Sequence, residues 1–381
     1  MNKKNLELFC VCLAGFAYSA NYTNHAPLAS VLMKEFAFDK MMAGFLTTGI
    51  FSTHALMQIP GGHFADKYGG KKILAFALMV VVLGNLGISM SHSYSQLLFW
   101  KIFVGFGTGT CFVSGARYVA QVMPAEQLHR AQGIYGGSIL LGSGFIIFIV
   151  PQLNAMFGWS GAFVSTALVA LTALLVWITV VPKPELKAHP HVSMSSLLSH
   201  GQLWLLGLVQ MASFGLVLVT GSWITELLKK NYQMELKEAG AYGSIVLLFG
   251  LVGRVSGGSL VKKMGYRQLI WFSLTLNMIA CIILSATGSG LWMVIVSMMM
   301  LGLGSGFPYA ALFNRAVALF PGRGGAAMGL VNMMGIIMIL AGAPLVGKLV
   351  DMTGNFSVAF ISLAVFVLLA MGASFAIKKD H

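Results

Sequence analysis

The chain has 381 residues, of which 57% are hydrophobic and 9% charged, with a mean hydropathy of +0.82. Soluble domains carry roughly 25% charged residues, so a water-soluble enzyme is excluded. Twelve bilayer crossings of about 20 residues take roughly 240 positions, which also excludes a large extramembrane domain. The net charge of +13 would point to nucleic acid in a soluble chain. Here its placement marks one side of a membrane and no nucleic-acid partner is expected.

Asn2-Lys3-Lys4 followed by an apolar run imitates a signal peptide, but no small-x-small cleavage pattern follows, so the run reads as an uncleaved first helix. Apolar windows predict helices near Leu8 to Met33, Met42 to Ala65, Ile73 to Ser91, Gln96 to Met123, Gln132 to Met156 and Ser160 to Val181. A polar stretch with Lys183, Glu185, Lys187, Pro190 and three histidines then interrupts the pattern. Six more windows follow, near Gln202 to Leu228, Ala239 to Val261, Gln268 to Thr287, Leu291 to Phe320, Gly325 to Leu349 and Phe356 to Ile377. The expected fold class is an all-α membrane protein of twelve transmembrane helices in two six-helix halves, residues 1–181 and 202–381, joined by a cytoplasmic linker at 182–201. Cys10, Cys12, Cys111 and Cys281 all lie within apolar runs, without metal-ligand spacing, and read as reduced packing residues.

With both termini cytoplasmic, fourteen Lys and Arg residues fall in inner segments and six in outer ones. Basic residues in short loops are retained on the cytoplasmic side, so this topology is the expected one, in a bacterial inner membrane. The two halves repeat. Gly62-His-Phe-Ala-Asp66-Lys-Tyr-Gly69-Gly-Lys71 aligns with Gly258-Ser-Leu-Val-Lys262-Lys-Met-Gly265-Tyr-Arg267 at an offset of 196, and Gly105, Gly107, Gly109 align with Gly302, Gly304, Gly306 at 197. Such internal repeats place a substrate site near the bilayer midplane where they meet. The third, sixth, ninth and twelfth windows lack charged residues and read as lipid-facing, whereas basic residues fall in the fourth, eighth and tenth.

The loop Gly62-His-Phe-Ala-Asp66-Lys-Tyr-Gly69-Gly-Lys71-Lys72, at the end of the second of twelve helices, resembles the signature loop of the major facilitator superfamily. The resemblance covers essentially the whole chain and implies the fold of that superfamily and secondary transport. A gating role is expected for Gly62, Asp66, Gly69 and Lys71. Gly62 would let the second helix approach the eleventh, and Asp66 would lie near the positive N-terminal end of the eleventh at about Gly325. Lys262 replaces Asp66 in the second copy, so the two inner latches are expected to be unequal.

Gln58-Ile-Pro-Gly61-Gly62, Arg254-Val-Ser-Gly257-Gly258 and Asn332-Met-Met-Gly335 resemble the anion-transporting branches: nitrate/nitrite porters, cyanate permeases and monocarboxylate transporters. Nitrate/nitrite porters carry a basic residue four before the glycine on both the second and eighth helices. This chain has Gln58 at the first position and Arg254 at the second, which is more similar to carboxylate transporters. Lys101 takes the arginine position of a further superfamily pattern on the fourth helix.

A charge at the centre of a membrane helix costs about 2.5–3.5 kcal/mol on insertion scales, so it persists with a partner, water or a use. Lys101, Arg117, Arg254 and Arg315 fall within the windows, against Glu226 near one end of the seventh. That balance favours an anionic ligand. Arg254 lies seven residues, about 10 Å, before the end of its window and offers a planar donor fork. Arg117 and Arg315 lie nearer helix ends and suit gates or interfaces, with Arg117 also a candidate ligand contact. Lys101 could draw anions inward or reach to the outer interface. Tyr18, Asn21 and His25 share one helical face, either facing a ligand or bonding between helices. Tyr309 and Asn332 are further candidates; His54 reads as packing, and Glu226 as a surface residue beside Lys229.

No nucleotide loop, metal pair or paired carboxylate is present in the sequence, so no enzyme activity and no cofactor are expected. The sequence thus predicts a monomeric secondary transporter of a small anion, an organic monocarboxylate or similar oxyanion, coupled to a proton or sodium. One alternative, export of neutral or cationic compounds, calls for a buried acid in the first, fourth or fifth helix. Another is a non-transporting membrane sensor on the same scaffold.

Overall fold

The computed structural model describes residues 3–182, 198–286, 288–319 and 324–378; most of the predicted linker, 183–197, lies outside them. Among the described residues the protein is a set of twelve helices. The first six are α1 (3–36), α2 (40–68), α3 (Gly70–Ser89), α4 (Tyr94–Val122), α5 (125–157) and α6 (159–180). The second six are α7 (201–232), α8 (236–264), α9 (Tyr266–Ser285), α10 (291–319), α11 (Gly324–Thr353) and α12 (Ser357–Ser374). Gly158, at φ +71, breaks an otherwise continuous run between α5 and α6, a conformation glycine adopts without steric cost.

Nine helical runs among the described residues are long and apolar enough to cross a bilayer, one of them (Gly133–Val180) spanning both α5 and α6. The helices of α1 and α2 are too short individually, because α1 unwinds over 20–25 and α2 is interrupted at Met57. Exposed Phe76, Met79, Leu83, Leu86 and Met90 form one stripe along α3, and Ile361, Val365, Leu368 and Leu369 form another along α12. Such stripes suit lipid contact. The helices begin earlier than their apolar windows, so Lys71 and Lys72 enter the first turn of α3 and Arg267 that of α9. The expectation that these helices carry no charge is corrected accordingly.

The chain forms two compact units, Met1–His189 with Glu235–Ser244, and Pro190–Met234 with Ile245–His381. The start of α8 thus groups with the first unit, where a Cβ at Gly240 would stand 2.8 Å from the Ile147 carbonyl.

Within each unit the glycine ladder does the same work. A Cβ on Gly109 would stand 2.4 Å from the His54 carbonyl of α2, and one on Gly107 2.8 Å from the Ala77 carbonyl of α3. In the second unit Gly306 faces the Gly250 carbonyl of α8 at 2.4 Å, and Gly304 the Ser273 carbonyl of α9 at 2.8 Å. Alternate glycines therefore let α4 and α10 touch two neighbours backbone to backbone, as small residues do in membrane bundles. The rise in offset from 196 to 197 has a simple origin: α3 and α9 are both 20 residues long, but the loop after α9 (286–290) has one residue more than that after α3 (90–93).

The α2–α3 and α8–α9 turns also match. Gly69 (φ +89) donates its N–H to the Ala65 carbonyl at 3.0 Å, and Gly265 (φ +79) to the Val261 carbonyl at 2.9 Å. Just beyond, Lys71 Nζ donates to the Val181 carbonyl and, at 3.1 Å, to that of Ile178, while the Arg267 guanidinium donates to the Phe375 carbonyl at 3.0 Å. Both cations cap the C-terminal end of the last helix of their own unit, where the dipole favours positive charge. Lys71→Ala is expected to lower the melting temperature of the purified protein by about 2–4 °C, with Lys71→Arg close to wild type. An unchanged Lys71→Ala melting curve would remove the capping role.

Candidate functional site

Helix α8 runs to Met264, three residues past its predicted end, which puts Arg254 ten residues from the terminus. That is about 15 Å along the helix, half of a hydrocarbon core about 30 Å thick. Gly306 brings α10 against this point, since a Cβ there would lie 2.7 Å from the Arg254 backbone nitrogen. The half-buried guanidinium carbon stands 4.1 Å from the Tyr309 ring centroid and 5.5 Å from that of Phe214. Aromatic rings attract a guanidinium through its π system, and its planar N–H fork is what matches a carboxylate or nitrate. The structure therefore brings together Arg254 and Tyr309, two of the predicted residues. It adds Phe214, which sits in a π-helical turn of α7, Met211–Gly215. That turn is invisible to a hydropathy reading. Asn332 accepts from Gln210 at 3.5 Å.

Gln58 stands on α2 at the position matching Arg254, and its Nε2 is buried without a hydrogen-bond partner among the described residues. The second predicted group lies in the first unit. Tyr18 and Tyr135 hydroxyls meet at 3.0 Å, and Tyr135 Oη lies 3.3 and 3.2 Å from the Cys111 and Phe112 carbonyls. Asn21 Nδ2 donates to the Ala17 carbonyl at 2.8 Å, and His25 Nε2 meets Thr47 Oγ1 at 2.9 Å. All three predicted residues are buried, and Tyr18 and His25 bond across helices as polar groups in bundles do. His25 Nδ1 is buried without a hydrogen bond among the described residues.

Lys101 is 1% exposed and does not reach an interface. Its ammonium donates to Asn24 Oδ1 and, at 3.4 Å, to the Asn21 carbonyl, and it lies 5.7 Å from the Phe163 ring centroid. Arg117 is half-buried five residues before the end of α4. Arg315 lies over the Tyr266 ring at 5.3 Å and donates to the Lys378 carbonyl at 3.3 Å, an end-of-helix role. His54 packs on Tyr22 and meets Thr108 Oγ1 at 3.2 Å, and Glu226 pairs with Lys229 at 3.8 Å.

The loop residues divide. A Cβ on Gly62 would meet nothing within 4 Å, whereas one on Gly61 would stand 3.2 Å from Thr110 Cα. Gly69 serves the turn and Lys71 the α6 cap. The side chains of Asp66 and Lys262 lie outside the described residues, as does that of Gly325's surroundings, and with them the expected latch.

Three residues besides Phe214 escaped the sequence reading. Asn85 and Thr166 carry hydrogen bonds of the Lys101 cluster from α3 and α6, helices read there as lipid-facing only. Glu7, 7% exposed, accepts from Tyr118 at 3.1 Å. It lies outside the first apolar window, since α1 starts at Lys3 rather than Leu8. Glu7 is thus a buried acid on the first helix, four residues from the start of α1.

A probable nitrate/nitrite antiporter of Thermus thermophilus, NarK1, is 22% identical over 80% of this chain and 76% of its own length. A probable galactarate/D-glucarate transporter of Bacillus subtilis, GudP, is 22% identical over 94% and 89%. The fold is similar to that of a bacterial homolog of the human lysosomal transporter Spinster, crystallised inward-facing and unoccupied, with a TM-score of 0.80 at 15% identity over 99% of this chain and 97% of that one. The family model of the Major Facilitator Superfamily matches residues 11–335 and 203–380, and with twelve helices in two repeated sets of six the chain belongs to that superfamily.

Proposed function

We propose that this protein is a secondary active transporter that moves a small anion, an organic monocarboxylate or similar oxyanion, by alternating access. The observation that carries the reading is Arg254, near the mid-length of α8 with its guanidinium against Tyr309 and Phe214. A cation at that depth is costly, and a planar oxyanion is the ligand its fork fits. Gln58 at the matching position of α2 supplies a neutral amide, so one guanidinium answers one negative charge. Tyr309 holds the guanidinium in place, and in the first unit Tyr18, Asn21 and His25 are offered as further ligand contacts. The transported solutes named for the relatives, nitrate/nitrite and galactarate/D-glucarate, are all oxyanions, which supports the class without choosing a member.

In this reading the protein works as a monomer in a bacterial inner membrane with both termini cytoplasmic, is driven by a proton or sodium gradient, and makes and breaks no covalent bond. The loop residues Asp66, Gly69 and Lys71 belong to its cytoplasmic gate. A thermal-shift screen of small carboxylates, nitrate, cyanate and phosphate tests the ligand class. At 100 times its Kd a ligand of the folded state stabilises by about 2.7 kcal/mol, so one oxyanion is expected to raise the melting temperature of wild type but not of Arg254→Ala. Equal shifts in both proteins, or none with any anion, would exclude Arg254 as the anchor.

A further inference from the structure

The first helix of the chain is not continuous. Over 20–25, Ala20-Asn21-Tyr22-Thr23-Asn24-His25, it leaves the α-helical pattern: the Asn21 and Tyr22 N–H groups bond three residues back, to the Tyr18 and Ser19 carbonyls at 3.1 and 3.0 Å. Irregular backbone at membrane depth needs other partners for its polar groups. In broken membrane helices, unwound carbonyls are the oxygens that coordinate transported cations.

Here those oxygens face a cation that is part of the chain. Lys101 Nζ, on α4, donates to the Asn21 carbonyl and to Asn24 Oδ1, with the Phe163 ring as a third neighbour. Asn24 is the hub of the arrangement. Its Nδ2, which has two N–H groups to share, lies 3.2 Å from Asn21 Oδ1, 3.0 Å from Asn85 Oδ1 and 3.2 Å from Thr166 Oγ1. With its amide nitrogen turned to three oxygens, its own oxygen must point at the ammonium. Asn85 is tied in turn to the Val81 carbonyl at 2.7 Å, and Thr166 to that of Phe163 at 2.9 Å. Among the described residues the contacts of Lys101 come from neutral oxygens and a π face, with no carboxylate among them. Neutral oxygens and an aromatic face are the surroundings of a bound monovalent cation rather than of a salt bridge.

We infer that the break in α1 is a monovalent-cation site built from Asn21, Asn24 and Phe163, and that the Lys101 ammonium occupies it as a tethered ion. Lys101 therefore holds α1 in its unwound form and is not an anion ligand. The site does not depend on the anion reading, since its test reads stability and not uptake.

The experiment measures melting of the purified full chain in detergent, at constant ionic strength, in choline, sodium or methylammonium chloride. Wild type is expected to melt at one temperature in all three. Lys101→Ala is expected to melt about 5 °C lower in choline and to regain at least half of the loss in methylammonium or sodium, since either ion enters the vacated site. Lys101→Met, which fills the space of the stem but carries no charge, should melt below wild type and gain from neither ion. Absence of any recovery in Lys101→Ala, or a Lys101→Met melting curve equal to wild type, would overturn the proposal. If Lys101→Ala does not fold, the Lys101→Met comparison decides alone.

Discussion

Uptake of the transported anion into proteoliposomes is expected to fall about 100-fold in Arg254→Ala. Truncating one partner of a hydrogen-bonded charge pair costs about 2–5 kcal/mol, and a loss of about 2.7 kcal/mol is a factor of 100. Arg254→Lys keeps the charge but has neither the planar fork nor the ability to stack on Tyr309, so about a tenfold loss is expected, seen mainly as a raised KM. The melting temperature should change little, because the side chain is only half-buried. Wild-type uptake by Arg254→Ala would remove the anion claim while leaving the fold untouched.

The second large effect is expected at Gly306. An added Cβ would stand 2.4 Å from the Gly250 carbonyl and 2.7 Å from both Gly253 Cα and the Arg254 nitrogen. All three are backbone atoms, which cannot rotate away. Overpacking of this kind costs about 1–3 kcal/mol, so Gly306→Ala should lower the melting temperature by about 5 °C. It should also impair uptake, because the displaced backbone carries Arg254. Gly109→Ala should destabilise similarly through the His54 carbonyl, 2.4 Å away. Gly62→Ala and Gly258→Ala, where a Cβ would meet nothing within 4 Å, are the controls and should melt as wild type. Equal melting of Gly306→Ala and Gly258→Ala would show that α8 and α10 do not depend on backbone contact.

The fold was legible because its main determinants are local and repeated. Apolar length marks a membrane helix, and a glycine ladder copied at nearly constant offset marks two related sets of helices. The candidate site was legible in part. Arg254 stood out since a buried guanidinium is rare, and Tyr309 since it follows the second ladder. The partners were harder, because which side chain meets which is decided by tertiary packing. Lys101 could not be assigned to inward or outward reach without knowing that α1 opens at Asn21 to receive it. Asn85 and Thr166 were hidden in helices that also carry lipid-facing stripes. The capping contact of Lys71 was hidden within its loop motif, because only tertiary packing brings the α6 carbonyls to it. Glu7 was lost to a helix boundary misplaced by a few residues.

The wide turn of α7 settles a geometrical conflict in its seam with α11. A Cβ on Gly207 would stand 2.6 Å from Met334, one on Gly215 2.7 Å from the Gly335 carbonyl and one on Gly342 2.9 Å from Val219, while Trp223 donates to the Ala343 carbonyl at 2.9 Å. These contacts recur at multiples of four residues. In a regular helix four such steps drift about 160° around the axis, enough to carry the indole away from its acceptor. The extra residue absorbed at Met211–Gly215 takes back about 100°, so a stripe too long for one uniform winding still meets its partner from end to end.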